Sequence, residues 1–461
     1  MSHDPHLSDS TDPTDTGTAE RGGGQTRRSF LGRAAAAAGA ASLLAAAGRS
    51  RAANRYGSDQ PAPKGKPRTP LKEGETIRIA VIGPGGMGTG HAHAFCDFAK
   101  RGEEKVQLVA LADICDLRVT DAKSRWEKDF PETKVDTYRD YRELLKRDDI
   151  HGVVIASPEH WHSEHTIDSI LAGKDVYCEK PMCFHVEEAV EMMRVVQGNP
   201  QAVFQVGTQK MQLKKYQEAK KLIEAGAIGT PTYSQTSYCR NSKDGEWLYY
   251  AIDPAWDPKK NIDWDTWCGS EPKIPWSPDV YARWRRYKSW STGIIGDLLV
   301  HEITPLVMAL ESVGWPKRVV ATGSHLVDKK MENFDQVNLA IEFESGHIMT
   351  VAGSTCNEVG VETLIRGHMA NLYLADRHCT LRPERLFVND IDEKKVECPD
   401  IGNDQDVHRK NWLHCIRTRE KPLADVVTGA KVMVIVDLAS KSLWTGSAYT
   451  FDSKTMTHKK A

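Results

Sequence analysis

Three side chains of types that carry out proton transfer stand out in the sequence: Lys180, Asp297 and His301. Asp297 and His301 are four residues apart in a stretch predicted to be helical, so both side chains should leave the same face. A histidine near its ordinary pKa can take the proton of a hydroxyl whose carbon gives up a hydride. A lysine can hold the alkoxide and relay its proton, and a carboxylate can anchor a neighbouring hydroxyl. We therefore interpret His301 as a base, Lys180 as a polarising group and relay, and Asp297 as a residue that orients the substrate. Structural roles are the alternative.

A glycine-rich stretch, Gly83-Pro-Gly85-Gly-Met-Gly88, comes directly after the apolar segment Ile77–Ile82, which is predicted to be a strand. A Gly-x-Gly-x-x-Gly sequence that closes a strand permits a tight turn, leaves room for a pyrophosphate and directs helix N–H groups at its phosphates. A helix over 87–100 and a strand over 106–112 complete a βαβ unit. The alternative is an ordinary glycine turn between a strand and a helix.

Asp113 ends the second of these strands, 25 residues after Gly88. This is close to the spacing at which a carboxylate binds the ribose hydroxyls of NAD, and the same carboxylate would repel the 2′-phosphate of NADP. Arg118, a few residues on, could instead serve that phosphate. We therefore predict NAD as the cofactor, with contacts from the glycine loop and this strand end: Gly83, Gly85, Gly86, Met87, Gly88 and Asp113.

Two further segments follow strands predicted in the same sheet. The run Ser157-Pro-Glu-His-Trp161-His162 follows a strand over 152–156, and Glu179-Lys180-Pro follows a strand over 174–178. Because ligands bind at the carboxyl ends of parallel strands, Lys180 is expected beside the cofactor. Trp161 and His162 are candidates to line the nicotinamide and the substrate, with structural roles equally open. The predicted cofactor contacts on this edge are Ser157, Pro158, His162, Glu179 and Lys180.

Helices and strands alternate through the first part of the chain, which predicts an α/β domain with a doubly wound parallel sheet over 75–198. Its further helices are predicted over 117–130, 138–146, 163–172 and 186–197. Beyond a strand over 203–206, strands follow one another with few helices between them: 232–238, 318–323, 336–343, 347–352, 363–366 and 372–375. This pattern predicts an α+β domain over 199–461 with a largely antiparallel, open sheet.

A long insertion over 247–290 is rich in tryptophan, and a final apolar helix is predicted over 429–444. Aromatic rings bind the faces of sugars, but they equally well pack a segment that lacks regular structure. The tryptophans of the insertion include Trp256, Trp264, Trp267, Trp276 and Trp284. We expect most of them to be packing residues.

The N-terminus carries Arg27-Arg28-Ser-Phe30-Leu31, followed by an uncharged, alanine-rich run over 34–48. This resembles a twin-arginine export signal, which would carry a folded chain with its nucleotide already bound to a periplasmic or other extracytoplasmic location. The run is too short to form a stable membrane span. A disordered tail and the signal are thus predicted over 1–53, with a linker over 54–74, and the export machinery is a predicted partner. The alternative is a disordered basic tail.

Composition excludes several classes of function. The chain has 61 Lys and Arg against 63 Asp and Glu, which gives no electrostatic case for nucleic acid. Its ten cysteines include no Cys-x-x-Cys pair, so we expect reduced core thiols and predict no metal site.

These motifs together resemble the glucose-fructose oxidoreductase, inositol dehydrogenase and rhizopine-catabolism (Gfo/Idh/MocA) family. The resemblance rests on the glycine loop, Asp113, the segments 138–145, 158–162 and 172–181, Gly207-Thr-Gln209, and Gly296-Asp297-x-x-x-His301. It implies a Rossmann domain followed by an α/β domain whose open sheet makes homodimers or homotetramers, and a sugar or cyclitol substrate.

Two features near the catalytic segment qualify the resemblance. The family usually shows several glycines before the aspartate, whereas this chain has Ser291-Thr-Gly293-Ile-Ile-Gly296. Pro305 lacks the N–H that would bond the His301 carbonyl, so the helix should kink or end there. Gln209 and Arg240 are weaker substrate candidates, and Arg240 could equally be a surface arginine.

Three functions remain open from the sequence. The leading hypothesis is an exported sugar or cyclitol oxidoreductase with tightly bound NAD. The second is an NAD-dependent glycoside hydrolase, in which transient oxidation acidifies a C–H bond, the aglycone is eliminated, water adds and hydride returns. The third is a non-catalytic sugar-binding protein.

Overall fold

A computed structural model describes residues 61–68 and 71–461. Two β-sheets, one of six strands and one of ten, organise this part of the chain. The predicted tail and export signal over 1–53, and the first part of the predicted linker, lie outside the described residues.

The first sheet is parallel, with strand order β3-β2-β1-β4-β5-β6. Its central strands are buried on both faces, as their continuous apolar sequences require. This arrangement confirms the predicted doubly wound sheet, which extends beyond the predicted boundary at 198 to include a sixth strand. The strands are β1 (Ile77–Ile82), β2 (Val106–Ala112), β3 (Asp136–Tyr138), β4 (Gly152–Ile155), β5 (Asp175–Cys178) and β6 (Phe204–Val206).

The helices of this domain are α1 (Gly86–Lys100), α2 (Asp116–Asp129), α3 (Tyr141–Leu145), α4 (His162–Leu171) and α5 (Val186–Gly198). The helix predicted over 138–146 is wrong in its first part. Asp136–Tyr138 pairs with β2 as a strand, and the side chain of Asp140 then caps α3 by accepting a hydrogen bond from the backbone N–H of Arg142.

The second sheet has the strand order β14-β13-β12-β11-β7-β10-β9-β8-β15-β16. All its pairs are antiparallel except that of β7 with β10, which confirms the predicted class. Four strands were not predicted because they are short or lie at polar edges: β13, β14, β15 and β16. The strands are β7 (Pro231–Cys239), β8 (Pro316–Ser324), β9 (Gln336–Phe343), β10 (Ile348–Ser354), β11 (Leu364–Gly367), β12 (Ala370–Ala375), β13 (His378–Pro383), β14 (Lys394–Glu397), β15 (Tyr449–Asp452) and β16 (Thr457–Lys460).

One face of this sheet is covered by helices and the other is open. Along β9, Leu339 and Ile341 are buried while Asn338 and Ala340 are exposed, the alternation expected of a half-covered sheet. The remaining helices are α6 (Lys214–Glu224), α7 (Trp264–Cys268), α8 (Pro278–Arg283), α9 (Val300–Ala309), α10 (Asp404–Thr418) and α11 (Val426–Thr445).

Helix α10 returns from the second domain to the core of the first. Trp412 is fully buried there beneath Gly152, where an added Cβ would lie 2.8 Å from the indole ring. The glycine therefore lets the returning helix pack closely against β4, and Trp412 and Leu413 of this helix join an apolar cluster of the first domain.

Residues 61–68, predicted as part of a linker, pack against the first domain instead. The Arg68 guanidinium lies 2.6 Å from Asp175, and the Gly65 N–H donates to the Asn199 side chain at 2.7 Å. The buried Asp175 carboxylate is shared by two cations, Arg68 of this segment and Arg419, whose Nη2 lies 2.9 Å from it.

The tryptophan-rich insertion forms its own apolar cluster, which confirms that most of its indoles are packing residues. Trp264, Trp267 and Trp290 are buried, and Trp256, Trp276 and Trp284 pack around them in part. The cluster docks at the end of β2, where the Asp116 N–H donates to the Asn261 carbonyl. Among residues 61–68 and 71–461, no helix has the length and apolar character to cross a bilayer.

Candidate active site

A cavity of about 600 Å³ lies along the carboxyl ends of the parallel strands and is closed on its other side by the second domain. The first domain contributes the glycine loop after β1 and the ends of β2, β4 and β5. The second contributes the segment around Asp297, the end of β7 and the tryptophan-rich insertion. Most of the predicted site residues line this one cavity: Gly83, Gly85, Gly86, Met87, Asp113, Ser157, Pro158, Trp161, Glu179, Lys180, Gln209, Arg240, Asp297 and His301.

The glycine loop fits a pyrophosphate. Gly83 has φ +82°, and a Cβ there would lie 2.6 Å from the Ser157 backbone nitrogen. A Cβ on Gly86 would instead project into open space, so the backbone can be approached closely at this point. Helix α1 begins after Gly85 with no side chain capping its N–H groups. An uncapped helix N-terminus beside open backbone is a site for phosphate oxygens.

Gly88 and His162 were also predicted as cofactor contacts, but neither residue lines the cavity. A Cβ on Gly88 would lie 2.3 Å from the Gly83 carbonyl oxygen, so this glycine serves close packing of α1 against β1. His162 is 1% exposed, and its two ring nitrogens lie 2.7 Å from the carbonyl oxygens of Ser157 and Pro181. His162 thus ties together the two loops that carry the site.

The adenosine end of the cavity is defined by Asp113 and Arg118. One Asp113 oxygen accepts the Cys115 N–H at 2.9 Å, which orients the carboxylate at the end of β2. Arg118 donates its Nε–H to the Tyr281 hydroxyl at 2.8 Å and lies over the Trp256 ring, and its Nη1 reaches the glycine loop, 3.2 Å from the Cβ position of Gly85. The insertion therefore holds Arg118 in place, and both Asp113 and Arg118 line this end of the cavity.

Lys180 and Asp297 form a close, nearly buried ion pair. Lys180 Nζ donates to Asp297 Oδ1 at 2.8 Å and to the Asp297 carbonyl at 2.9 Å, and each side chain is about 10% exposed. Arg285 Nε donates to the same Oδ1 at 2.9 Å. Burial alone would raise the pKa of Asp297, but Lys180 and Arg285 outweigh it and hold that pKa well below its usual range. Asp297 is thus an anion under all ordinary conditions.

Asp297 lies in a π-helical turn, Ile295–Leu299, directly before α9. Such turns are frequent at functional sites. A Cβ on Gly296 would lie 2.0 Å from the Thr292 hydroxyl and 3.2 Å from the Pro181 ring, so any larger residue there would displace the Thr292 side chain. The sequence predicted that this helix kinks or ends at Pro305. The helix does not end there, because α9 continues through this proline to Ala309.

His301 lines the cavity one turn beyond Asp297. Its Nδ1 is buried and has no hydrogen-bond partner in the described part of the chain, which leaves Nε2 as the nitrogen that faces the cavity. Burial, aided by the Lys180 charge, lowers the pKa of His301 to about 3. The pKa of His301 therefore lies below the ordinary value expected from the sequence, so the imidazole is neutral and is a weaker base than a free histidine.

Glu179 is held by a relay that sequence reasoning missed. Its Oε1 accepts the Nε2–H of His91 at 2.8 Å, and His91 Nδ1 in turn accepts the Nε–H of Arg409 at 2.9 Å. Burial would raise the pKa of Glu179, but the His91 hydrogen bond and the neighbouring Lys180 charge lower it to about 2. The carboxylate beside Lys180 is therefore fixed in position and in charge.

The substrate candidates Trp161, Gln209 and Arg240 all line the cavity, but Trp161 and Arg240 have protein partners. The Trp161 indole N–H donates to the Trp267 carbonyl at 2.9 Å. Arg240 is paired through two nitrogens with the fully buried Glu246. Gln209 lies in a short 3₁₀ turn after β6. Sequence reasoning missed Arg285, Tyr249 and Tyr250, which also line the cavity and come from the irregular insertion.

Two family models match most of the chain. Residues 77–208 match "Oxidoreductase family, NAD-binding Rossmann fold", and residues 220–451 match "Oxidoreductase family, C-terminal alpha/beta domain". The chain belongs to the Gfo/Idh/MocA oxidoreductase family. Its first domain is therefore an NAD-binding Rossmann domain, and NAD is its cofactor.

Curated relatives of this family member match mainly its first domain. Inositol 2-dehydrogenase of Salmonella paratyphi B is 26% identical over 156 residues, which are 34% of this chain and 44% of that protein. Alpha-N-acetylgalactosaminidase of Shewanella oneidensis is 29% identical over 202 residues, which are 41% of each chain. The chain thus spans less than half the length of these relatives.

A solved structure shares the fold over much more of the chain. Levoglucosan dehydrogenase in complex with NADH and levoglucosan has a TM-score of 0.60 at 21% sequence identity, covering 81% of this chain and 99% of that one. At this identity the likeness concerns the fold alone.

Proposed function

We propose that this family member oxidises or reduces a carbinol carbon of a sugar or cyclitol by hydride transfer with an NAD molecule that stays bound. The observation that carries the proposal is that Lys180, Asp297 and His301 line the same cavity as the glycine loop. The names of two relatives, inositol 2-dehydrogenase and levoglucosan dehydrogenase, support a cyclitol or sugar as the substrate.

Bound NAD supplies the hydride acceptor, and the chain's own residues manage the proton and the charge. His301 Nε2, which is neutral and faces the cavity, accepts the hydroxyl proton as the carbon is oxidised. The Lys180 ammonium, kept in place by the anionic Asp297, stabilises the negative oxygen that develops on the substrate. Asp297 orients the substrate through Lys180 and Arg285, because both cations are hydrogen-bonded to it.

We propose further that the chain is exported in its folded state by the twin-arginine route to the periplasm or another extracytoplasmic compartment. The support is the sequence around Arg27 and Arg28, which lies outside the described residues. Outside the cytoplasm a released nucleotide could not be replaced, so the cofactor would have to remain bound. A closed redox cycle follows, in which one substrate is oxidised and another reduced on the same NAD.

A second candidate function is NAD-dependent glycoside hydrolysis. The similarity to alpha-N-acetylgalactosaminidase of Shewanella oneidensis favours it. The same residues serve both reactions, because transient oxidation needs the same base and the same oxyanion stabilisation. Hydrolysis of nitrophenyl glycosides without net formation of NADH would establish this activity, and net redox exchange between two sugars without hydrolysis would exclude it.

We also propose that the open face of the second sheet forms a homodimer or homotetramer. Exposed, uncharged side chains such as Ala340 and Thr322 lie on it. Light scattering on the purified protein should give a mass above that of one chain, and Ala340→Arg should lower it. A monomeric wild-type protein would contradict the proposal.

The test of the redox function begins with the nucleotide that co-purifies with the protein, identified by mass spectrometry. Sugars, cyclitols and glycosides are then added singly while the absorbance of the bound nicotinamide is followed. The proposal predicts reduction of bound NAD by at least one sugar or cyclitol. Sugar binding without any hydride transfer would contradict it and would indicate a non-catalytic sugar-binding protein.

A further inference from the structure

The cavity has an aromatic mouth, formed by Tyr249, Tyr250 and Trp284 of the insertion. Tyr249 is 62% exposed and Tyr250 39% exposed, and their ring centroids lie 4.8 Å apart. Large exposed aromatic side chains at the edge of a ligand cavity are candidates for ligand contact, because their exposure leaves apolar surface in water.

Polar contacts with Glu246 and Arg283 anchor the segment that carries these exposed rings. The Tyr249 hydroxyl donates to Glu246 at 3.0 Å, and Glu246 is itself fully buried and paired with Arg240. The Arg283 side chain donates to the carbonyls of Leu248 and Tyr250, each at 3.0 Å. The two rings are therefore presented as a fixed surface, and a ligand that contacts them need not first order the segment.

The turn that presents the rings is strained. Trp247 has φ +61°, a conformation that is uncommon for any residue other than glycine. Its indole is buried, and Nε1 donates to Asp297 Oδ2 at 3.3 Å. One residue thus contacts the proposed catalytic centre and turns the chain so that Tyr249 and Tyr250 face outward. The mouth and the catalytic centre are parts of one structural unit.

Arg285 lies between the mouth and the catalytic centre. Its Nε is hydrogen-bonded to Asp297, while its guanidinium carbon lies 4.2 Å from the Trp284 ring centroid and 5.7 Å from that of Tyr250. Its two terminal amino groups make no hydrogen bond to any residue in 61–68 or 71–461. They are available to hydroxyl oxygens of a ligand that spans both regions.

We propose that Tyr249, Tyr250, Trp284 and Arg285 form a subsite for a second pyranose ring, so that the substrate is a glycoside or disaccharide and not a free monosaccharide or cyclitol. Aromatic rings contact the apolar C–H face of a pyranose, and a guanidinium binds its hydroxyls, which is the chemistry collected here. The Arg285 guanidinium lies between the mouth and Asp297. One pyranose ring of the substrate would therefore lie at the catalytic centre and the next pyranose ring at the mouth. This inference rests on the proposed sugar substrate.

The test compares disaccharides of glucose, galactose, mannose and N-acetylhexosamines with their component monosaccharides. Binding to the NAD-loaded protein is measured by tryptophan fluorescence and calorimetry, and reduction of the bound nucleotide by absorbance. At least one disaccharide should bind tenfold or more tightly than either of its components. In Tyr249→Ala/Tyr250→Ala this ratio should fall about tenfold, whereas Tyr373→Ala on β12, which does not line the cavity, should leave it unchanged.

The outcomes separate this subsite from the redox function. If disaccharides bind in preference and the preference depends on Tyr249 and Tyr250 but no sugar reduces the nucleotide, the subsite stands and the redox function fails. If monosaccharides alone are bound or oxidised, if no disaccharide binds, or if the ratio survives the double substitution, the subsite is refuted. The single variant Tyr249→Phe retains the ring and should keep most of the preference.

Discussion

Lys180 Nζ lies 2.8 Å from Asp297 Oδ1 and 2.9 Å from the carbonyl oxygen of the same residue. Residues 117 positions apart in the sequence are thereby joined across the boundary between the two domains. The pair keeps the Lys180 ammonium beside the cavity that the glycine loop lines. A cation held this way needs no rearrangement to stabilise a developing oxyanion, which is the property that the proposed reaction requires.

Replacing this cation should slow turnover strongly without releasing the cofactor. Lys180→Met should lower kcat by about a hundredfold or more, because groups that stabilise charge or transfer protons typically contribute that much. The bound nucleotide, measured by extraction and mass spectrometry, should remain. Lys221→Met on the exposed face of α6 serves as the matched control and should behave as wild type. Normal turnover of folded, NAD-loaded Lys180→Met would show that the assigned role is wrong.

His301→Ala should also lower turnover by about a hundredfold or more with the nucleotide retained. Because the pKa of His301 is about 3, its protonation should not reduce kcat/KM as the pH falls through 6.5. The measurement is kcat/KM against pH for wild type and variant, with His414→Ala on the surface as the control. A decrease of kcat/KM below about pH 6.5 that is seen in the wild type and is absent from His301→Ala would contradict the assignment of His301 as a neutral, buried imidazole.

The sequence predicted the first domain well because each strand, loop and helix of a βαβ unit is encoded by residues close together. It also placed Asp297 and His301 on one face. It could not place Arg285, since the insertion has no periodic pattern and its approach to Asp297 depends on tertiary packing. The hydrogen-bonded relay from Arg409 through His91 to Glu179 could not be predicted either, because Arg409 lies 318 residues from His91 in the sequence.

Glu159 should make stability depend on pH. Burial raises its pKa to about 8, although the Thr292 N–H donates to it at 2.5 Å. Its folded pKa thus exceeds its unfolded value, so the unfolded state binds fewer protons between pH 4.5 and 8, and Glu159 lowers stability as the pH rises through that range.

Glu159→Gln isolates this contribution from that of the buried histidines. One pKa unit corresponds to about 1.4 kcal/mol. When the pH is raised from 5 to 8, the unfolding free energy of the wild type should therefore change unfavourably by about 2 kcal/mol or more relative to that of the variant. Urea unfolding at the two pH values measures the difference. An equal change in unfolding free energy for both proteins would show that the buried carboxyl is not protonated.

Asp113 should select NAD over NADP. Its carboxylate would lie where the 2′-phosphate of NADP must sit and would repel it. Nucleotide extracted from the wild-type protein should therefore be mainly NAD, and Asp113→Ser should raise the share of NADP. Wild-type protein loaded mainly with NADP would overturn this assignment.

The proposed export route predicts that Arg27→Lys/Arg28→Lys leaves a folded, NAD-loaded protein in the cytoplasm. The pathway for folded cargo recognises the arginine pair and not merely positive charge. Cell fractionation with an activity assay measures the location. Wild-type amounts of processed, active double variant outside the cytoplasmic membrane would refute the route and the argument for a permanently bound cofactor.

The most direct test of the account follows the nicotinamide that co-purifies with the protein while single sugars, cyclitols and glycosides are added, including inositol, levoglucosan and N-acetylgalactosaminides. Wild-type protein should show reduction of its bound NAD by at least one of these compounds. The same compound should bind to Lys180→Met without reducing the nucleotide. A wild-type protein that binds these compounds while its bound NAD remains unchanged would contradict hydride transfer as the function of this site.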